Sequence, residues 1–234
     1  MTTTTSSTQA FPIGVGTLFK KGIEGYIANV VPLSVAGVAT LLTYGAFRYP
    51  AQLLFDDGAV GRSLLVDLVG LLIAGTIAYP WYSYALDAAA GDGVDWRRPF
   101  EEPRRFAYQA TASFWFWAGV LAGVRWGAYL FFLPAILVIL LYAFHGYVNA
   151  DRSRDGGLKL LGVSVKLGAG YRIALFALMA LFIMFNFMGA IALGFGEIGP
   201  LTITGAVVGM VITTNVTMVS GAHLYRVLLE RMDA

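Results

Sequence analysis

No cysteine occurs among the 234 residues. Disulfides, thiolate nucleophiles, iron–sulfur clusters and cysteine-based zinc sites are therefore excluded. Charge is scarce too: 13% of residues are charged, against about a quarter in a soluble domain. The net charge of +2 is too small to argue for a nucleic-acid partner. The motifs of soluble enzymes are missing as well. There is no Gly-x-x-x-x-Gly-Lys, no His-Glu-x-x-His and no Gly-x-Ser-x-Gly. The glycine pairs at 14–16 and 168–170 lack the third glycine of a dinucleotide fold. No catalytic residue, cofactor or metal site is expected.

What the chain does have is apolar surface. Hydrophobic residues make up 58% of it, more than a core of this size hides from water, so the natural solvent is lipid. Glycine is frequent, at 28 residues, which in membrane proteins serves close helix packing. The opening MTTTTSSTQA is polar, of low complexity and without an apolar face. Residues 1–10 are expected to be a disordered tail, and 11–234 a single transmembrane domain. The tail lacks the basic start and short apolar core of a signal peptide.

A bilayer crossing needs about 20 apolar residues in helical form. Six stretches qualify: 27–47, 63–86, 106–124, 127–150, 173–196 and 198–225. The stretch 106–150 is too long for one crossing. A turn at Arg125 divides it evenly, whereas a turn at Pro134 would leave the arginine in lipid at a cost of about 2.5 kcal/mol or more. The expected fold is all-α, a polytopic bundle of six transmembrane helices arranged as three in-out-in hairpins. On that count, thirteen of the sixteen lysines and arginines fall on the side holding the N-terminal segment, 87–105, 151–172 and the C-terminus. Positive charge marks the cytoplasmic side, so the expectation is a multi-pass protein of the cell (inner) membrane with both termini cytoplasmic.

Amphipathic segments introduce two of the spans. In FPIGVGTLFKKGIEGY, apolar residues recur at helical spacing, with Lys20, Lys21 and Glu24 on another face. GLKLLGVSVKLGAGY at 157–171 repeats the plan, and both end in Lys-x-x-x-Gly-Tyr: Lys21, Gly25, Tyr26 and Lys166, Gly170, Tyr171. Lys20, Lys21, Tyr26, Lys159, Lys166 and Tyr171 are candidate contacts for lipid headgroups. A looser version, RPFEEPRRFAY, precedes the third span.

From residue 87 onward the pattern resembles the six-helix bacterial and archaeal membrane proteins related to the membrane domain of glycerophosphoryl diester phosphodiesterases. The matching motifs are Pro134-Ala135-Ile136 in the fourth span, Ser164 with Leu167 in a surface helix, and the small-residue turn 194–200. The metal-binding groups of that enzyme belong to a separate soluble domain with no counterpart in this sequence. The resemblance therefore implies fold and topology, and no catalysis.

Polar residues within the spans are the remaining candidates. Asn186, Thr213, Thr214 and Asn215 either outline a polar cavity between the last two helices or supply interhelical hydrogen bonds. His145 and His223 lie near one end of the fourth and sixth spans, where they either share a metal or haem or hydrogen-bond separately. Asp67 is expected to sit at the interface, pairing with Arg62. Pro32 and Pro80 fall within spans and are expected to kink them. The glycines at 119, 123 and 127, and at 205 and 209, make smooth helix faces for contacts within the bundle. The function these features favour is a non-enzymatic membrane scaffold or accessory subunit acting on lipid or a partner protein. The alternative is a small permease or export factor using the polar cavity.

Overall fold

The computed structural model describes residues 11–127, 132–151, 158–194 and 199–233. The polar tail 1–10 and the turn around Glu197 lie outside the described residues. All regular structure among the described residues is helical: α1 Val15–Ala28, α2 Val30–Asp56, α3 Val60–Ile77, α4 Tyr79–Ala90, α5 Arg104–Gly127, α6 Leu133–Tyr142, α7 His145–Ala150, α8 Lys159–Leu167, α9 Arg172–Gly189 and α10 Pro200–Asp233.

Among the described residues, five stretches are long and apolar enough to cross a membrane: Val30–Asp56, Val60–Ala90, Leu133–Ala150, Arg172–Gly189 and Leu201–Asp233. The expected third span is not among them. At 24 residues, α5 has the length, about 36 Å. Its hydropathy is lowered by Arg105, Gln109 and Ser113, one turn apart on a single face. All three are buried against protein.

Several expected boundaries move. The first span runs on to Asp56, so Arg48 lies inside a helix instead of a loop. Pro32 does not kink this helix. It sits in the first turn, where its missing N–H has no partner to lose, while Pro50 lies in the helix interior. Pro80 does mark a break: the chain turns at Ala78 between α3 and α4, two residues before the proline. The turn expected at Arg125 comes later. Helix α5 continues to Gly127, and α6 starts at Leu133 after Phe132, a non-glycine residue with a left-handed φ of 59°. The glycine stripe explains the extension. A Cβ on Gly123 would lie 2.5 Å from the Ala135 backbone nitrogen, and one on Gly127 would lie 3.0 Å from Pro134. Only bare backbone lets α5 and α6 run together this far.

Neighbours in sequence pack as pairs: α2 on α3, α5 on α6, α9 on α10. Between them sit α4 and α7. All six residues of α7 are buried, as are Tyr79, Trp81 and Tyr84 of α4. The run YPWYSY thus contributes largely to the core. Outward faces are apolar: Ile173, Phe176, Ile183, Met184, Phe187 and Met188 of α9 are exposed, as a hydrocarbon solvent permits.

Helices α1 and α8 occupy the two amphipathic segments. The former docks on α10: Leu18 is fully buried, and its carbonyl accepts from the Ser220 hydroxyl at 3.3 Å. Lys20 and Lys21 stay exposed. Tyr26 is buried and bonds to Ser34, while Tyr171 accepts from Arg231 at 3.0 Å. The two Gly-Tyr endings are not equivalent. Gly25 is helical, whereas Gly170 has φ +87° in the turn before α9. The third segment forms a 3-10 turn, Arg98–Phe100, and then the start of α5.

Gly22 of α1 faces Ser220 and the Val216 carbonyl so closely that a Cβ has no room, whereas Gly16 faces open space. Gly22→Ala should cost about 1–3 kcal/mol by overpacking, and Gly16→Ala should not destabilise. Thermal unfolding of both variants in detergent checks this; equal midpoints would remove the α1–α10 contact from the account.

Candidate functional site

The polar residues of α9 and α10 are tied off in separate places. Asn186 faces Thr217, with Nδ2 3.4 Å from its hydroxyl. Both line a recess of about 200 Å³ whose other walls are mostly apolar, including Leu178, Phe182 and Met218. Thr213 and Thr214 donate back to carbonyls of their own helix. Asn215 is fully buried and turned to α4: its Oδ1 accepts from Trp81 Nε1 at 2.7 Å, and its Nδ2 donates to Val211 O at 2.8 Å. The four residues do not share one cavity.

The histidines are apart as well. His145 is buried, stacked on Phe116 with ring centres 4.8 Å apart, and its Nδ1 donates to the Tyr142 carbonyl at 2.8 Å. His223 is half-buried and lines a surface recess of about 480 Å³ with Lys21 and Glu24. Among the described residues no three His, Cys, Asp or Glu side chains gather as a metal site.

A larger cavity than either recess lies elsewhere, among α2, α3, α4, α5 and α7. It measures about 550 Å³, within the range of small-molecule sites. Tyr44, Trp81, Tyr82, Phe116 and Trp117 give it aromatic walls; Thr40, Gln109, Ser113 and His145 add polar ones. Arg48 and Asp67 also line it, and they form an ion pair at 2.6 Å. Asp67 therefore pairs with Arg48 of the neighbouring helix, not with Arg62. The pair is lopsided: the Asp67 side chain is 13% exposed and that of Arg48 47%. Asp67 Oδ1 is buried without a hydrogen-bond partner.

Two polar ladders hold these groups in place, and each follows from one-turn spacing along a helix. On α2, Arg48 donates to Gln52 at 3.2 Å and Gln52 donates to Asp56 at 2.8 Å. On α5, Gln109 donates to Ser113 at 3.3 Å and accepts from Asn149 of α7 at 2.9 Å. Arg105 and Asn149 exchange bonds through their backbone carbonyls, at 3.2 and 3.0 Å. A chain Arg105–Asn149–Gln109–Ser113 thus reaches the cavity wall from the end of the bundle. These residues escaped the sequence reading, although the spacings 48–52–56 and 105–109–113 were visible there.

Comparison of the chain with protein-family models, with curated proteins and with solved structures found no match. None of them bears on the resemblance to phosphodiesterase membrane domains, which is a matter of sequence motifs alone.

Removing Arg48 leaves the mostly buried Asp67 carboxylate uncompensated, so the single substitution should cost more than the double one. Because Arg48 is half exposed, Arg48→Met should destabilise by about 1 kcal/mol, and Arg48→Met with Asp67→Leu by clearly less. Unfolding of the cycle in detergent measures this; strict additivity would mean the pair contributes nothing.

Proposed function

We propose that the chain is a six-span protein of the inner membrane, three in-out-in hairpins with both termini cytoplasmic. It holds a small amphipathic molecule in the cavity between α2, α3, α4, α5 and α7, and acts as a lipid-level scaffold or accessory subunit without bond chemistry of its own. The observation that carries the binding role is the cavity itself: about 550 Å³, aromatic along its walls, with one balanced ion pair at membrane depth. Ionisable groups placed there are costly and are kept for function by default. The buried polar face of α5 supports counting it as the sixth span. Arg105 and Gln109 need no lipid contact, because they and Ser113 are turned inward. The clustering of basic residues at the end bearing α1 and α8 supports the orientation.

A permease is the second reading, and it draws on the same cavity. The last two helices favour it less, because Asn186 and Thr217 there bond to each other. Solute uptake into proteoliposomes that stops in Leu121→Trp would favour transport over holding.

Native mass spectrometry of the detergent-purified chain tests the binding role. The wild type should carry a bound small molecule, Leu121→Trp in the cavity wall should lose it, and Val124→Trp on the exposed side of α5 should keep it. Retention of the same mass in Leu121→Trp would sink the reading.

The cysteine-free sequence makes topology equally direct to check. With single cysteines, Asp57→Cys and Phe132→Cys should react with an impermeant maleimide on intact cells. Asp92→Cys and Glu230→Cys should react only after lysis. Labelling of Glu230→Cys in intact cells would exclude a cytoplasmic C-terminus.

A further inference from the structure

A second opening lies on the outer face of the bundle, where the α3–α4 rod breaks. It is a cleft of about 330 Å³, walled by Val35 and Ala39 of α2, Pro80 and Tyr84 of α4, and roofed by Trp96 and Phe100 from the turn after α4. The Tyr84 hydroxyl donates to the Trp96 carbonyl at 3.0 Å, which fixes the roof in place. Its walls are otherwise carbon. Trp96 and Phe100 remain 45% and 59% exposed, as aromatic residues do at headgroup level.

The rim is charged in a specific way. Arg98, Arg104 and Arg105 are each engaged with Asp87 or Glu102. Arg97, next to Trp96, is exposed and in no ion pair among the described residues. Beside it stands Asp95, whose Oδ1 accepts the Arg97 backbone N–H at 2.9 Å. The apolar slot is thus roofed by Trp96, and the exposed Asp95 and Arg97 are the residues on either side of Trp96 in the chain.

We infer that this cleft holds one chain of a phospholipid with a zwitterionic, ammonium-bearing headgroup, of the phosphatidylethanolamine class. Arg97 takes the phosphate and Asp95 the ammonium. A headgroup with net negative charge would face Asp95 and Asp92 uncompensated. A choline has no N–H to donate to a carboxylate. The site is separate from the inner cavity, and the inference rests on the proposed topology only for the leaflet, which is the cytoplasmic one.

The test is native mass spectrometry of the full chain in detergent, titrated with phosphatidylethanolamine, phosphatidylcholine and phosphatidylglycerol. Phosphatidylethanolamine should be retained best. Arg97→Glu should weaken it about tenfold, since reversal removes one favourable charge and adds an unfavourable one. Asp95→Asn should abolish its advantage over phosphatidylcholine. Ala39→Trp, on an exposed position of the cleft wall, should block all three lipids without disturbing the core. Equal retention of the three lipids, a preference for phosphatidylglycerol, or full retention in Ala39→Trp would each overturn the inference. So would loss of the lipid in Leu121→Trp instead, because that outcome assigns it to the inner cavity. The binding role of that cavity fails separately, on the mass carried by Leu121→Trp.

Discussion

Hydrocarbon offers a backbone amide no partner, so a chain dissolved in it must satisfy every peptide group from within. The rest of the structure follows from that demand. Long helices meet it along most of the length, and each interruption has a local remedy. Where α1 gives way to α2, the Asn29 side chain donates to the Gly25 carbonyl at 3.0 Å. Where α6 breaks before α7, Ser164 serves both sides. Its hydroxyl accepts from the Phe144 N–H at 3.1 Å and donates to the Leu141 carbonyl at 3.0 Å. Helix α8 is therefore more than a surface float, since it carries the residue that makes the α6–α7 break affordable. Threonines do similar work within helices, Thr40 and Thr76 donating one turn back.

The same solvent weakens the usual drive for association, because lipid chains are as apolar as leucine. Close approach and internal polar bonds replace it. Gly189 meets the Gly209 backbone, Gly70 meets Phe47, and Gly75 meets Ser113. The buried ladder on α5 and α7 adds polar bonds in a medium where the alternative is an unpaired group. Small residues and buried amides thus stand where a water-soluble bundle would place a leucine core.

The helical class and the membrane character were legible in the sequence, because a 20-residue apolar run has few other uses. The glycine stripe at 119–127 was read correctly as a contact within the bundle. Helix ends were less legible. Arg48 looked like a loop residue because its charge ended an apolar run, and only the partner on α3 shows why the helix continues. The sequence reading counted 106–124 as a span, yet α5 is not among the five stretches apolar enough to cross a membrane: Arg105, Gln109 and Ser113 lower its hydropathy while facing protein. The four candidate polar residues were grouped because adjacency in sequence put Thr213, Thr214 and Asn215 together. Rotation of 100° per residue sends their side chains to different neighbours. Residues such as Trp81 and Asn215, 134 positions apart, come together through tertiary contact that no local pattern encodes.

The docking of α1 on α10 has a consequence for how the protein is made. The bond between Leu18 and Ser220 closes across 202 residues. At about 5–20 residues per second of synthesis, the first helix waits on the order of ten seconds or more before its partner exists. Until then Leu18, fully buried in the finished protein, lacks the helix that covers it. The first helix made is thus seated by the last one, and a chain cut short before residue 220 would leave that face bare.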